Sequence, residues 1–303
     1  NTVEGNFDKI GGMSIAKVKV LSTGGSYVPK AGPEPSIVTI GNSDGYLYAY
    51  TPDPTKTTET DSRIWKSSHP INNYSGKMQY SISFASFNND GNAEIYVGNQ
   101  IFDAATGKLL VNGNSGGNQG MTLRGVVSGA YAISPIAADV NNDGILEYVA
   151  GTEVYRVNIN DRDDYTANNM TLLTSIPPVV VRSTNIQDGL TVIADINQDG
   201  YPDIIFCSVI PSTDYTALIV WDVKNQQLLG STDTYSRKYS GLPLIGNVDN
   251  EPSLEIVLAG SVSSSAGKVE AYRWNGTTGL DLVYSVGTSD YSGTTGITLF
   301  DFN

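Results

Sequence analysis

A chain of 303 residues with 31 acidic and 18 basic side chains has a formal charge of −13, although only 16% of its residues are charged. Such a surface argues against a nucleic-acid partner, which requires a basic stripe, and a lone histidine, His69, argues against both a Ser-His-Asp triad and a histidine-built zinc site. No run reads as a transmembrane helix or a signal peptide, one cysteine excludes an internal disulfide, and a start at Asn1 without methionine is expected of a processed, mature chain.

In chain order, Ile15-Ala16-Lys17-Val18-Lys19-Val20 is the first segment with strand character. Ser36–Ile40, Tyr46–Tyr50 and Arg63–Trp65 follow, rich in β-branched and aromatic residues and parted by Gly, Asn, Asp and Pro. Between the first two of these, Gly41-Asn42-Ser43-Asp44-Gly45 spells G-x-S-x-G, but a nucleophile elbow needs a helix after it. The alternating Tyr46–Tyr50 makes it a hairpin turn instead. His69, beside Pro70, is expected in a solvated connection.

From residue 86 onward a nine-residue pattern recurs. Its copies are Ser86–Glu94, Asp139–Glu147, Asp195–Asp203 and Asn247–Glu255, and Asp301-Phe302-Asn303 supplies positions 1 and 3 of one more. Position 1 falls at 86, 139, 195, 247 and 301, giving steps of 53, 56, 52 and 54 residues. A fixed period of this length is the mark of a repeat architecture. The copies at 139 and 195 read D-x-N-x-D-G-x-x-[DE]. Side-chain oxygens stand at positions 1, 3, 5 and 9, a glycine at 6 allows a sharp turn, and the carbonyl at 7 is free. A short loop of this kind can wrap a hard cation that wants six to eight oxygens, and calcium is the expected cofactor. Its role would be structural: carboxylates that repel one another become a staple between two strands.

The expected ligands are Asp139, Asn141, Asp143, Glu147 and the Ile145 carbonyl in one loop, and Asp195, Asn197, Asp199, Asp203 and the Tyr201 carbonyl in the next. Weaker candidates are Ser86, Asn88, Asp90, Asn92 and Glu94, where serine replaces the first carboxylate. Asn247, Asp249, Glu251, Ser253 and Glu255 form a second weaker set, where Pro252 replaces the glycine. Asp301 and Asn303 are a partial set.

Each loop precedes an apolar run: Glu94–Val97, Glu147–Ala150, Asp203–Phe206 and Glu255–Leu258. Second strands are expected at Val154–Val157, Leu218–Trp221 and Val269–Trp274, third strands at Thr171–Leu173, Gln227–Leu229 and Leu282–Tyr284, and one more before each loop, as at Ala132–Ala138, Thr191–Ala194 and Leu242–Ile245. Four short strands per repeat make a propeller blade. An EF-hand would place its last acid at position 12 between two helices, which this pattern does not. The expected fold is therefore all-β, a β-propeller of four-stranded blades with a period of about 53 residues. It would form a single domain over 1–303, with repeats near 36–80, 81–130, 131–189, 190–240 and 241–293 and a partial one at 294–303. At least five blades are expected. Either the strand at 294–301 completes the first blade of a five-bladed ring, or the chain is a fragment of a longer, seven-bladed one, in which Ile15–Val20 belongs to a blade of its own.

The D-x-N-x-D-G loops, the Pro135–Ala138 and Thr191–Ala194 segments before them and the strands after them resemble the FG-GAP and VCBS repeats of integrin-α-type propellers and secreted bacterial surface proteins. The FG and GAP tripeptides are mostly missing, so the VCBS-like branch is the better match. The resemblance covers roughly residues 36–303 and implies calcium between the first two strands of a blade. It also implies an extracellular or cell-surface location, further domains in a longer chain, and a non-enzymatic role in adhesion, ligand recognition or scaffolding. The partner would be a protein or a polysaccharide. The alternatives are a carbohydrate-active propeller resembling rhamnogalacturonan lyases and a purely structural module.

Tyr74, Tyr215, Tyr239 and Tyr291 fall in connections expected on the side opposite the cation loops, where a sugar or peptide would be gripped. Cys207, ending the strand Ile204–Phe206, reads as a small buried hydrophobe. Asp161, Asp163 and Asp164 read as a solvated turn.

Overall fold

The computed structural model describes residues 13–16, 20–21, 27–28, 36–72, 74, 79–113, 119–122, 132–210, 213, 215–235, 242–249, 251–262 and 266–289. Helix is confined, among these, to one turn at Glu59–Ser62 and a 3-10 turn at Tyr165–Ala167. The rest is strand and turn. The chain divides into two compact units, Asn1–Gly117 with Arg156–Thr171, and Asn118–Tyr155 with Leu172–Asn303.

Among the described residues, five four-stranded sheets follow one another along the chain. Their strands, in spatial order, are Met13–Ala16, Ser36–Ile40, Tyr46–Tyr50 and Arg63–Pro70; then Ser83–Ala85, Glu94–Val97, Gln100–Asp103 and Leu109–Asn112; then Ile136–Ala138, Glu147–Ala150, Glu153–Asn158 and Asn169–Ser175; then Leu190–Ala194, Asp203–Val209, Tyr215–Asp222 and Gln227–Tyr235; and last Leu244–Gly246, Glu255–Ser261, Gly267–Trp274 and Leu280–Thr288. Spatial order equals chain order in each of these five sheets, which is the up-and-down unit of a β-propeller blade. The protein is thus all-β and built of propeller blades.

In the second unit, the fourth sheet shows how period-2 patterning makes a blade with two buried faces. Its second and third strands pair Ile204 with Trp221 and Phe206 with Ile219, and these four pack with Val149, Val154 and Val179. The intervening pairs, Ile205 with Val220 and Cys207 with Leu218, face the other way and pack with Ile256, Leu258 and Tyr272 of the fifth sheet. Every residue of Asp203–Val209 is buried, and each large apolar side chain so placed contributes about 1.5–3 kcal/mol. In the first unit, Trp65 of the first sheet donates its indole N–H to the Ala104 carbonyl at 3.2 Å. Its ring lies where a Cβ on Gly107 would stand 2.6 Å away, and Gly107 has a φ of +71°; both the space and the conformation require glycine.

Two expectations about the ends of the pattern need correction. The first strand of the first sheet is Met13–Ala16, paired antiparallel with Ser36–Ile40 from Met13↔Thr39 to Ala16↔Ser36. Residues 13–16 therefore belong to the first sheet rather than to a blade of their own, and fill the place foreseen for 294–301, while Val20–Leu21 pairs with Tyr27–Val28 in a separate two-stranded sheet. The loop period hides this, because no cation loop separates these two strands. His69 is not in a connection either: it lies within the strand Arg63–Pro70, half-buried, with its ring edge-on to Tyr165 at 5.1 Å. Residues 290–303, including Tyr291, Asp301 and Asn303, lie outside the described residues, as does Tyr239. Gly41–Gly45 is a hairpin turn, with Gly41 N–H donating to the Tyr46 carbonyl and Gly45 at φ +70°.

Candidate cation loops

The loop at 195 joins the first two strands of the fourth sheet, and the pair Ala194↔Asp203 closes it. Asp195 accepts from the backbone N–H of Asp199 at 3.0 Å and of Gly200 at 2.9 Å, one bond on each carboxylate oxygen. Asn197 Oδ1 accepts from Asp199 N–H (3.0 Å), Asp199 Oδ1 from Tyr201 N–H (2.9 Å), and Asp203 Oδ2 from Ile196 N–H (2.8 Å). The chain wraps back on itself through Gln198 at φ +58° and Gly200 at φ +87°. These bonds draw the side-chain oxygens of positions 1, 3, 5 and 9 toward the loop backbone, and Asp203 Oδ2 accepts a second one from Asn197 N–H (3.3 Å).

Asp203 is 1% exposed. Burial pushes its carboxyl up to about 7, and the charges of Asp222 and Asp195 add to the rise, against the hydrogen bonds from Ile196 and Asn197. Asp222 stands opposite Asp203 in the sheet register. Burial acts to raise the Asp222 carboxyl, but hydrogen bonds from Asn225, Gln227 and the backbone hold it below the usual carboxylate range. Four carboxylates thus share one end of the sheet, and among the described residues the cation within ion-pair reach of them is Lys224, 3.7 Å from Asp199 on the exposed rim. No three acidic, histidine or cysteine side chains among the described residues are grouped as a metal cluster by themselves; a cation would also draw on the Asn197 amide and the Tyr201 carbonyl. That hard-oxygen set suits calcium.

The loop at 139 repeats this backbone pattern bond for bond. Asp139 accepts from Asp143 N–H (3.0 Å) and Gly144 N–H (2.7 Å), Asn141 from Asp143 N–H (2.9 Å), Asp143 from Ile145 N–H (2.9 Å) and Glu147 from Val140 N–H (3.1 Å). Asn142, at φ +59° like Gln198, donates its amide to the Gly200 carbonyl at 3.0 Å, and Gln198 donates to the Pro252 carbonyl at 2.9 Å. Position 4 of one loop therefore ties to position 6 of the next.

The other two loops hold a guanidinium where the pattern expects metal. In the loop at 86, Arg162 Nη1 donates to Asp90 at 2.9 Å and Glu94 at 2.8 Å, while its Nε and Nη2 form a fork on Asp103 at 2.9 and 2.7 Å. Burial pushes the Glu94 carboxyl up even so. Ser86 Oγ is buried without a hydrogen-bond partner, so position 1 brings no charge. In the loop at 247, Arg273 Nε donates to Glu255 at 2.8 Å and Nη2 pairs with Asp249. Glu251 N–H donates to Asp249 (2.8 Å) and Val248 N–H to Glu255 (2.9 Å), keeping the shared backbone bonds. Pro252 has no N–H to give the residue at position 1, and Asn247 instead donates its own amide to the Glu251 carbonyl.

Asp103, Asp222 and Arg273 occupy equivalent places, opposite position 9 in register with Glu94, Asp203 and Glu255. Just before each, the pairing between third and fourth strands shifts, at Ile101/Phe102, Val220/Trp221 and Ala271/Tyr272. Bulges of this kind re-aim a side chain. None of these residues, nor Arg162, stands out in the sequence. Arg162 lies inside the acidic turn Asp161–Asp164, and only the offset from position 9 to the bulged strand could have marked the others.

The two expected ligand tyrosines among the described residues, Tyr215 and Tyr74, are engaged within the protein. Tyr215 starts the third strand of the fourth sheet at the end away from the loop, and the Arg182 guanidinium caps its ring at 3.3 Å. Tyr74 stacks on Tyr80 at 5.9 Å and donates its hydroxyl to the Asn42 carbonyl at 3.1 Å.

An FG-GAP-like repeat family model matches residues 86–150, from position 1 of the Ser86 loop through the strand after the Asp139 loop. No curated protein sequence matches the chain. Among solved structures the chain is similar to the Dos1 propeller, at 11% identity and a TM-score of 0.43, over 84% of this chain and 60% of that one. No helix among the described residues is long and apolar enough to cross a membrane.

Proposed function

We propose that this chain is a calcium-stabilised, non-enzymatic propeller that displays a protein- or polysaccharide-binding surface outside the cell. The observation that carries the reading is the loop at 195. Its carboxylates and the Asn197 amide lie at one end of a sheet, four acids share that end, and among the described residues the cation within ion-pair reach of them is the rim Lys224. When bound, calcium would supply the missing positive charge and join the two strands. Asp195, Asn197, Asp199, Asp203 and the Tyr201 carbonyl would hold it, and Asp139, Asn141, Asp143, Glu147 and the Ile145 carbonyl would hold its counterpart. Sites of this exposed kind fill at extracellular calcium levels, which supports a location outside the cell. A non-enzymatic role is supported by the commitment of Arg162 and Arg273 to ion pairs and of His69 to packing on Tyr165.

Thermal melts of Asp199→Ala and Asp143→Ala test the metal. Each variant is expected to melt lower than the parent in millimolar calcium and level with it after chelation; an equal loss in both solutions would remove the metal role. Incubation with pectic and other acidic polysaccharides in calcium tests the rest. Retention without cleavage is expected of a binding propeller, and product release would make the protein a lyase.

A further inference from the structure

We propose that Arg162 and Arg273 are built-in cations whose guanidinium groups replace calcium in the loops at 86 and 247, so that these two loops close without metal. The residues present there do not fit a bound ion, because the charge it would supply is already in place. Arg162 uses four of its bonding directions on three carboxylates, Asp90, Glu94 and Asp103, and its side chain is 18% exposed. A planar fork of fixed donors suits this task better than a flexible ammonium.

The arginine is delivered deliberately by its own turn. Asn168 Oδ1 accepts from the N–H groups of Asn160 and Asp161, and Asn168 Nδ2 donates to the Leu110 and Asp161 carbonyls. Asp161 accepts from Asp163 N–H, and Asp164 caps the following 3-10 turn. The acidic turn, with Asp161, Asp163 and Asp164 exposed as expected, is also the bracket that holds Arg162 inside the first unit.

Arg273 reaches the same end by a different route, from the neighbouring strand of its own sheet, at the register position where the fourth sheet has Asp222. Two independent segments thus bring a guanidinium to the same station. Each coincides with a loss of a metal-loop feature, Ser86 for a carboxylate in one case and Asn247 with Pro252 in the other. The loop at 195 keeps every feature and receives an extra acid instead. Calcium dependence would then be strongest at the loop at 195, where the register brings Asp222 rather than an arginine, and the loops at 86 and 247 would stay closed when calcium is withdrawn. This inference rests on the calcium reading only for that contrast.

Melting temperatures of Asp90→Asn, Glu255→Gln, Arg162→Met, Arg162→Lys and Asp199→Ala, each in millimolar calcium and after chelation, test it. Asp90→Asn and Glu255→Gln are expected to lose the same number of degrees in both solutions. Arg162→Met should fall by roughly 5 °C or more, Arg162→Lys by less, and the double variant Arg162→Met/Asp90→Asn no further than Arg162→Met alone. Losses at Asp90 or Glu255 that vanish on chelation, or additive losses in the double variant, would overturn the assignment. If Asp199→Ala loses equally in both solutions, the calcium reading fails while the Arg162–Asp90 cycle still decides the role of the arginine.

Discussion

Asp203 gives the sharpest test of the loop at 195. Its carboxyl is buried, with a folded-state pKa of about 7 against 3.8 for an ordinary aspartate. A raised carboxyl pKa means that the metal-free folded protein holds a proton which the unfolded chain releases. Its stability is therefore highest at acid pH and declines as pH rises from about 4 to about 7. A difference of about 3 units at about 1.4 kcal/mol each sets a ceiling of about 4 kcal/mol, on the order of 8 °C for a chain of this length. Coupling to Asp195 and Asp222 spreads that loss over a wider pH range. A divalent ion beside Asp203 reverses the sign, since it favours the ionised form. Melts between pH 5 and 8 in resin-treated, metal-free buffer should thus slope downward, and millimolar calcium should flatten or invert the slope. Asp203→Asn should remove most of the metal-free slope. A residual one of the same sign should persist, because burial also raises Glu94. A flat metal-free profile, or a slope unchanged in Asp203→Asn, would refute the reasoning.

Two further perturbations probe the scaffold. Phe206 is fully buried between the sheets of the second unit, and Phe206→Ala should cost about 3–5 kcal/mol in urea unfolding; a loss below about 1 kcal/mol would show that the site collapses freely. Gln198 sits at φ +58° while its amide bonds to Pro252, so Gln198→Ala should be less stable than Gln198→Gly, the reverse of the usual preference. An alanine variant at least as stable as the glycine one would show that the left-handed turn does not limit this loop.

The blade strands were legible because each is a short apolar run tied to a polar loop at a fixed offset. Leu190–Ala194, Asp203–Val209 and Glu255–Ser261 lie where that offset places them. Gln100–Asp103 and Leu109–Asn112 carry no such signal, since Gln100 and Asp103 break the apolar run and the turn between the two strands has no repeat signature. The loop donors were legible for the same local reason: nine consecutive residues carry the whole oxygen pattern. The counter-charges were not. Arg162 is 68 residues from Glu94 along the chain, and Arg273 meets Glu255 only through cross-strand register. Local pattern shows which groups need a charge, and tertiary packing decides what supplies it.

That division explains why all four loops keep one hydrogen bond in common while their charges differ. The carboxylate at position 9 accepts from the N–H of position 2 in every copy, at Phe87, Val140, Ile196 and Val248. This bond buries a charge at the start of the second strand, and Glu94, Glu147, Asp203 and Glu255 are all fully or almost fully buried. A buried carboxylate with one or two backbone donors is costly unless a positive charge stands beside it. The demand for a cation is thus built into the strand entry itself, before any metal ligand at positions 1, 3 or 5 is considered. At Glu94 and Glu255 an arginine meets the demand, and those loops carry Ser86 at position 1 and Pro252 at position 6. Where the register brings another acid instead, as at Asp222, the demand grows and the full oxygen set remains.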